Sequence, residues 1–106
     1  MPETTLTAAD KAHRNDTIRS ILPASHRQDR VVYTAGLSAL GPVFLAEAFM
    51  AVRTFEDFSE GNDPYGEHDF GAFELSTGDK CFWKIDDYNG YDGIRCVLTV
   101  LLAEEN

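Results

Sequence analysis

The chain has 106 residues, a size at which two separate cores would each be too small to stand alone, so one domain over residues 1–106 is expected. With 43% hydrophobic and 25% charged residues it has the make-up of a folding globular protein, which excludes a disordered chain. The net charge of −9 is divided unevenly. Residues 1–53 carry six Lys/Arg against five Asp/Glu (+1), and residues 54–106 carry three against thirteen (−10). So acidic a half repels nucleic acid and anionic membrane and attracts basic protein surfaces.

In chain order, residues 1–6 read as a flexible tail, and Thr5 or Thr7 caps a helix running through Ala8, Ala12 and Ile18 to Leu22, where Pro23 ends it. No basic stretch followed by an apolar run stands at the start, and no apolar run approaches the roughly 20 residues that span a bilayer, so a cytoplasmic protein is expected. The β-branched and aromatic segment 30–35 predicts a strand, and Leu37 to Gly41 predict a turn. Pro42 suits the first turn of a second helix, whose run Val43 to Val52 is so apolar that burial on most sides is expected.

From Phe55 to Asp69 the Gly, Pro, Asn and Asp content predicts a loop. At fifteen residues it is long for a compact domain, and its aromatics Phe55, Phe58 and Tyr65 argue against disorder. Three strands follow at 70–75, 80–86 and 94–103, with connections too short for crossovers. Period-two alternation sends Phe73, Leu75, Cys81, Trp83, Ile85, Ile94, Cys96, Leu98, Val100 and Leu102 to the core and leaves Phe70, Lys80, Phe82, Lys84 and Asp86 on the other face. The expected fold is therefore α+β: a four-stranded, mostly antiparallel sheet with two helices on one face, in the order α-β-α-β-β-β.

Two clusters could carry function. The first, Asn62 to Gly71, holds Asp63, Glu67, His68 and Asp69, yet its spacing matches neither a calcium-binding EF-hand loop nor the helical HExxH zinc motif. Asn62 and Asp63 can instead turn the backbone before Pro64, and His68 can bond a loop carbonyl. The second, Trp83 to Asp92, surrounds Tyr88 and Tyr91 with Asp86, Asp87 and Asp92, and tyrosines bury large area at small entropic cost in interfaces. The two cysteines, Cys81 and Cys96, stand at apolar-patterned strand positions without metal-type spacing and are expected as buried thiols. No nucleophile elbow, phosphate loop or dinucleotide fingerprint is present. No catalytic residue, metal or cofactor is assigned. The expected binding residues are Glu56, Asp57, Glu60, Asp63, Tyr65, Glu67, Asp69, Asp86, Asp87, Tyr88, Tyr91 and Asp92.

The string from Asn62 to Gly71, NDPYGEHDFG, together with the Trp83-Lys84-Ile85-Asp86 segment, resembles a bacterial family of domains of unknown function found in alphaproteobacteria and on mobile elements, over about residues 17 to 106. A looser resemblance, in size and acidity, is to the anti-CRISPR proteins of phages and mobile elements, some of which imitate DNA. It implies a non-enzymatic inhibitor that occupies the basic DNA channel of a nucleic-acid-handling protein, such as a CRISPR-Cas effector subunit, without contacting nucleic acid or membrane. The alternative is a small metal-dependent hydrolase using Asp63, Glu67, His68 and Asp69. A third reading is a mobile-element accessory protein without catalytic role.

Overall fold

The computed structural model describes residues 6–61, 63–88 and 93–106. The expected residues Tyr91 and Asp92, with Asn62 and residues 1–5 of the tail, lie outside the described residues. Thr7 caps α1 (Ala8–Ser20) through a reciprocal box: its hydroxyl accepts from the Asp10 amide, and the Asp10 carboxylate accepts from the Thr7 amide. The helix stops two residues short of the expected end, before a cis Leu22–Pro23 bond. Strand β1 (Asp29–Tyr33) follows, and the stretch expected as a turn is a short helix, α2 (Ala35–Ala39). Then come α3 (Pro42–Arg53), β2 (Phe70–Glu74), β3 (Lys80–Asp87), β4 (Cys96–Leu102) and a final 3-10 turn at Ala103–Glu105.

The fold is α+β with a four-stranded sheet in the order β1-β4-β3-β2. The sheet is mostly antiparallel, as expected, but mixed, because β1 pairs parallel with β4 while β2–β3 and β3–β4 are antiparallel; the number of helices is corrected, three among the described residues instead of two. The parallel pairing follows from connectivity. The chain leaves β1 at one edge, passes through α2, α3 and the 54–69 segment, and enters β2 at the other edge, so β4 is the last strand to arrive and fills the place beside β1.

Register settles the faces. Cys81, Trp83 and Ile85 stand opposite Leu102, Val100 and Leu98, and these form one core with Ile18 and Leu22, Leu37 of α2, and Ala48, Phe49 and Val52 of α3. All three helices thus cover one face, and both cysteines are buried thiols there. The α3 helix is less enclosed than its composition led us to expect, since Val43 is 74% and Met50 54% exposed. Only the stripe through Ala48, Phe49 and Val52 is fully covered.

Candidate functional site

The 55–69 segment is long and irregular, but it is tied down. Phe55 and Phe58 turn inward, and their rings stand edge-on to Trp83 at 5.4 and 6.5 Å. Trp83 is fully buried, and Gly71, its cross-strand neighbour, makes room for it. Arg19 of α1 closes this box from the helix side, its guanidinium carbon 5.2 Å from the Phe58 centroid and 5.0 Å from that of Trp83. The same guanidinium donates to the carbonyls of Val52 (2.6 Å) and Phe55 (3.2 Å) and to the Asp16 carboxylate (2.9 Å).

Asp63 organises the acidic loop from inside. Its side chain is 3% exposed, and Oδ1 accepts from the amides of Glu67 (2.9 Å) and His68 (3.1 Å). His68 takes a left-handed backbone (φ 52°), stacks on Phe58 with centroids 3.6 Å apart, and places Nδ1 2.8 Å from Asp16 and Nε2 3.6 Å from Asp63. Each ring nitrogen therefore faces a carboxylate, in place of the loop carbonyl expected. Burial acts to raise the Asp16 carboxyl, but hydrogen bonds from His68 and Arg19 outweigh it and hold it below the ordinary value. Asn15, buried on α1, donates to the Glu67 carbonyl (2.9 Å), and Lys11 pairs with the Glu67 carboxylate at 3.5 Å. The loop is thus latched to α1 by contacts spanning more than fifty residues of sequence.

The sheet then brings the two acidic sequence clusters to one end of the molecule. The Ile85 amide donates to the Asp69 carbonyl at 2.8 Å, so the end of the loop runs beside the end of β3. The Asp69 carboxyl is pushed above the usual carboxylate range by partial burial first, then by the charges of Glu67, Asp63 and Asp86. Tyr65 is 78% and Tyr88 48% exposed. Asp87 is paired with Arg14 at 2.9 Å. Glu56, Asp57 and Glu60 are exposed along the first half of the loop. Of the expected binding residues, Asp63 is therefore the one whose side chain is buried in a structural role. Glu67 and Asp87 are partly offset by cations of α1, and Asp69, Asp86, Tyr65 and Tyr88 remain as the acidic and aromatic end.

Several contributing residues carried no local signal. Arg19, Asn15 and Asp16 of α1 looked like an ordinary solvated helix face. Asp29, which is buried and stands 3.4 Å from Arg95, lies just outside the strand expected at 30–35. Among the described residues, no group of three or more His, Cys, Asp and Glu side chains is gathered as a metal site would need. Burial pushes the Cys81 thiol up to about 11 and raises Cys96 as well, so both stay neutral. No described helix is long and apolar enough to cross a membrane.

A raised acid predicts a stability effect. Asp69 folds more favourably when neutral, so its ionisation costs stability in full above its folded value, and that cost fades as pH falls through the folded value and is gone only well below 3.8, where the group is neutral in both states. Asp69→Asn should therefore raise the urea midpoint at pH 7 and leave it unchanged near pH 3. A lower midpoint at pH 7 would show that Asp69 is instead held in its charged form.

The family model described as Protein of unknown function (DUF3768) matches residues 33–105, and the chain belongs to that family. The match begins sixteen residues later than the resemblance read from the sequence, so α1, which latches the loop, lies outside it. No curated protein and no solved structure is significantly similar to the chain.

Proposed function

From a family that assigns no activity, we propose that this protein is a non-enzymatic binder whose acidic end occupies a basic, nucleic-acid-handling surface of another protein and keeps DNA from it. The effector complex of a CRISPR system is the instance we put first. The observation that supports the reading is the convergence of Glu67, Asp69 and Asp86 at one end of the sheet, where partial burial first and then the charges of Glu67, Asp63 and Asp86 hold the Asp69 carboxyl above its ordinary range, with Tyr65 and Tyr88 exposed on the same segments. Gathering like charges costs stability, and a partner bearing Lys and Arg recovers that cost on binding. The tyrosines supply area at low entropic cost. His68 and Asp63 fit this reading better than a hydrolytic one, since their polar atoms are occupied in holding the loop.

Salt and charge removal test it together. Protein immobilised in a bacterial lysate should retain DNA-handling proteins at low salt and release them as salt rises, because paired charges at an exposed interface are screened. A Glu67→Gln/Asp69→Asn/Asp86→Asn variant should retain several-fold less. Equal retention by the variant, or an eluate without nucleic-acid-handling proteins, would set the proposal aside.

A further inference from the structure

One groove runs against the sign of the whole chain. Where the chain enters β1 and β4, the Arg95 amide donates to the Gln28 carbonyl at 2.6 Å, one position before the paired ladder begins at Asp29 and Cys96. Beside these entering segments lies a groove of about 540 Å³ lined by His26, Arg27, Gln28, Gly93 and Arg95. The chain holds eighteen Asp and Glu, yet among the described residues none lines this groove. The grooves beside the β2–β3 turn and beside Phe82 do include carboxylates, Asp79 and Glu104 in the first and Glu74 in the second. Asp29 stands behind the wall: its side chain is fully buried, and both its oxygens lie 3.4 Å from Arg95 Nη2, which fixes a guanidinium whose side chain is 51% exposed. Arg27 is exposed and has neither an ion pair nor a hydrogen bond among the described residues. Lys11, Arg14 and Arg19, by contrast, are each paired with a carboxylate of the fold.

We infer that this groove binds a compact oxyanion, the phosphate group of a small phosphorylated molecule. The lining selects an anion, because a guanidinium only donates hydrogen bonds, and here two of them share a wall with an imidazole and a side-chain amide. Their number selects phosphate over carboxylate. One guanidinium fork saturates a carboxylate, whereas a phosphate monoester carries a charge of about −1.5 to −2 and three strong acceptor oxygens, enough to engage both arginines. Net charge selects a small ligand. A polyanion seated here must lay its remaining phosphates along a chain of net charge −9, while a single phosphate held between the arginines need not. Volume agrees, since small-molecule sites span about 300–1,000 Å³ and a bare phosphate leaves room in this one for the group that bears it. The groove is independent of the proposed function, which rests on Glu67, Asp69, Asp86 and the two tyrosines.

Titrating inorganic phosphate and adenosine monophosphate into the whole isotope-labelled chain, at pH 7 and fixed ionic strength, tests it by nuclear magnetic resonance. The amide signals of Arg27, Gln28, Gly93 and Arg95 should shift and saturate together, with the ester bound at least as tightly as the free ion, and chloride should give no saturating shift. Arg27→Glu should weaken binding about tenfold or more, the scale of one charge-assisted contact, and should leave the fold intact because Arg27 holds nothing else. Arg95→Gln should weaken it likewise; where that change loosens the fold by leaving the buried Asp29 unpaired, Arg27→Glu decides. The Glu67→Gln/Asp69→Asn/Asp86→Asn variant should bind phosphate no more weakly than the wild type, and Arg27→Glu should still displace DNA as proposed above, so the two readings fail separately. Shifts that do not saturate, that chloride reproduces or that survive Arg27→Glu would overturn the inference. So would a single-stranded oligonucleotide bound more tightly than the monophosphate.

Discussion

Replacing Arg19 with alanine should lower the unfolding free energy by about 2–3 kcal/mol at pH 7, the scale on which losing the hydrogen bonds of a buried charged donor destabilises a protein. Arg19 is 5% exposed and works in three directions. Its hydrogen bond to the Val52 carbonyl satisfies one of the last acceptors of α3, which no intrahelical amide can reach, and places positive charge at the negative end of that helix. Its bond to the Phe55 carbonyl fixes the second residue after α3, and its bond to Asp16 positions the carboxylate that holds His68. The guanidinium also lies within cation–π distance of the Phe58 and Trp83 rings. Alanine removes the guanidinium from two carbonyls and one carboxylate and empties the box, leaving the Val52 carbonyl its bond from the Phe55 amide and Asp16 its bond to His68. Arg19→Lys should recover only part of the loss, because a single ammonium cannot reach these acceptors and lie against two rings. Urea unfolding of both variants checks the order. A loss under 1 kcal/mol for alanine would mean that water replaces the guanidinium at little cost.

The second large effect is expected from one added methyl group. A Cβ on Gly71 would sit 2.3 Å from Trp83 Nε1 and 2.6 Å from Phe55 Cζ, distances that real side chains do not tolerate. Neither ring can retreat: Trp83 is fully buried in the core, and Phe55 is held edge-on to both Phe58 and Trp83. Gly71→Ala should therefore cost about 3 kcal/mol, the upper part of the range for overpacked cores. Tryptophan fluorescence reports it locally, since Trp83 is the single tryptophan of the chain. The variant should show a red-shifted emission and a lower thermal midpoint. Unchanged emission with unchanged stability would mean that β2 can slide away from the box.

These two residues also mark what a reading of the sequence reaches. Strand alternation placed Trp83, Ile85, Leu98 and Val100 in the core, because period two is a local property and one face of β3 and β4 is wholly buried. The Phe55–Asp69 segment declared itself a loop through Gly, Pro and Asn. The parallel pairing of β1 with β4 had no local signature, since the partner of the first strand is decided by a segment more than sixty residues away. The α2 helix has five residues with a glycine at its second position, which resembles a turn. The exposed Val43 and Met50 show why composition overstated burial for α3: a helix at the rim of a sheet needs only one covered stripe.

For the acidic end, charge asymmetry along the chain was legible and its use was not. Asp63 reads as one more surface carboxylate and turns out to be a buried acceptor that bends the loop. Lys11 and Arg14 offset Glu67 and Asp87, pairings that only the docking of α1 creates. What remains unpaired in this way, Asp69 and Asp86 with the two tyrosines, is a smaller and better defined surface than thirteen carboxylates in one half of a sequence suggested.

The most direct measurement is a mobility-shift titration of DNA bound by a purified CRISPR effector complex, with this protein added at increasing molar ratio in low salt. The account predicts that the wild-type chain releases the DNA, and that the Glu67→Gln/Asp69→Asn/Asp86→Asn variant, folded as judged by circular dichroism, does so only at a several-fold higher ratio. DNA left fully bound by the wild type, or released equally by both proteins, would contradict it.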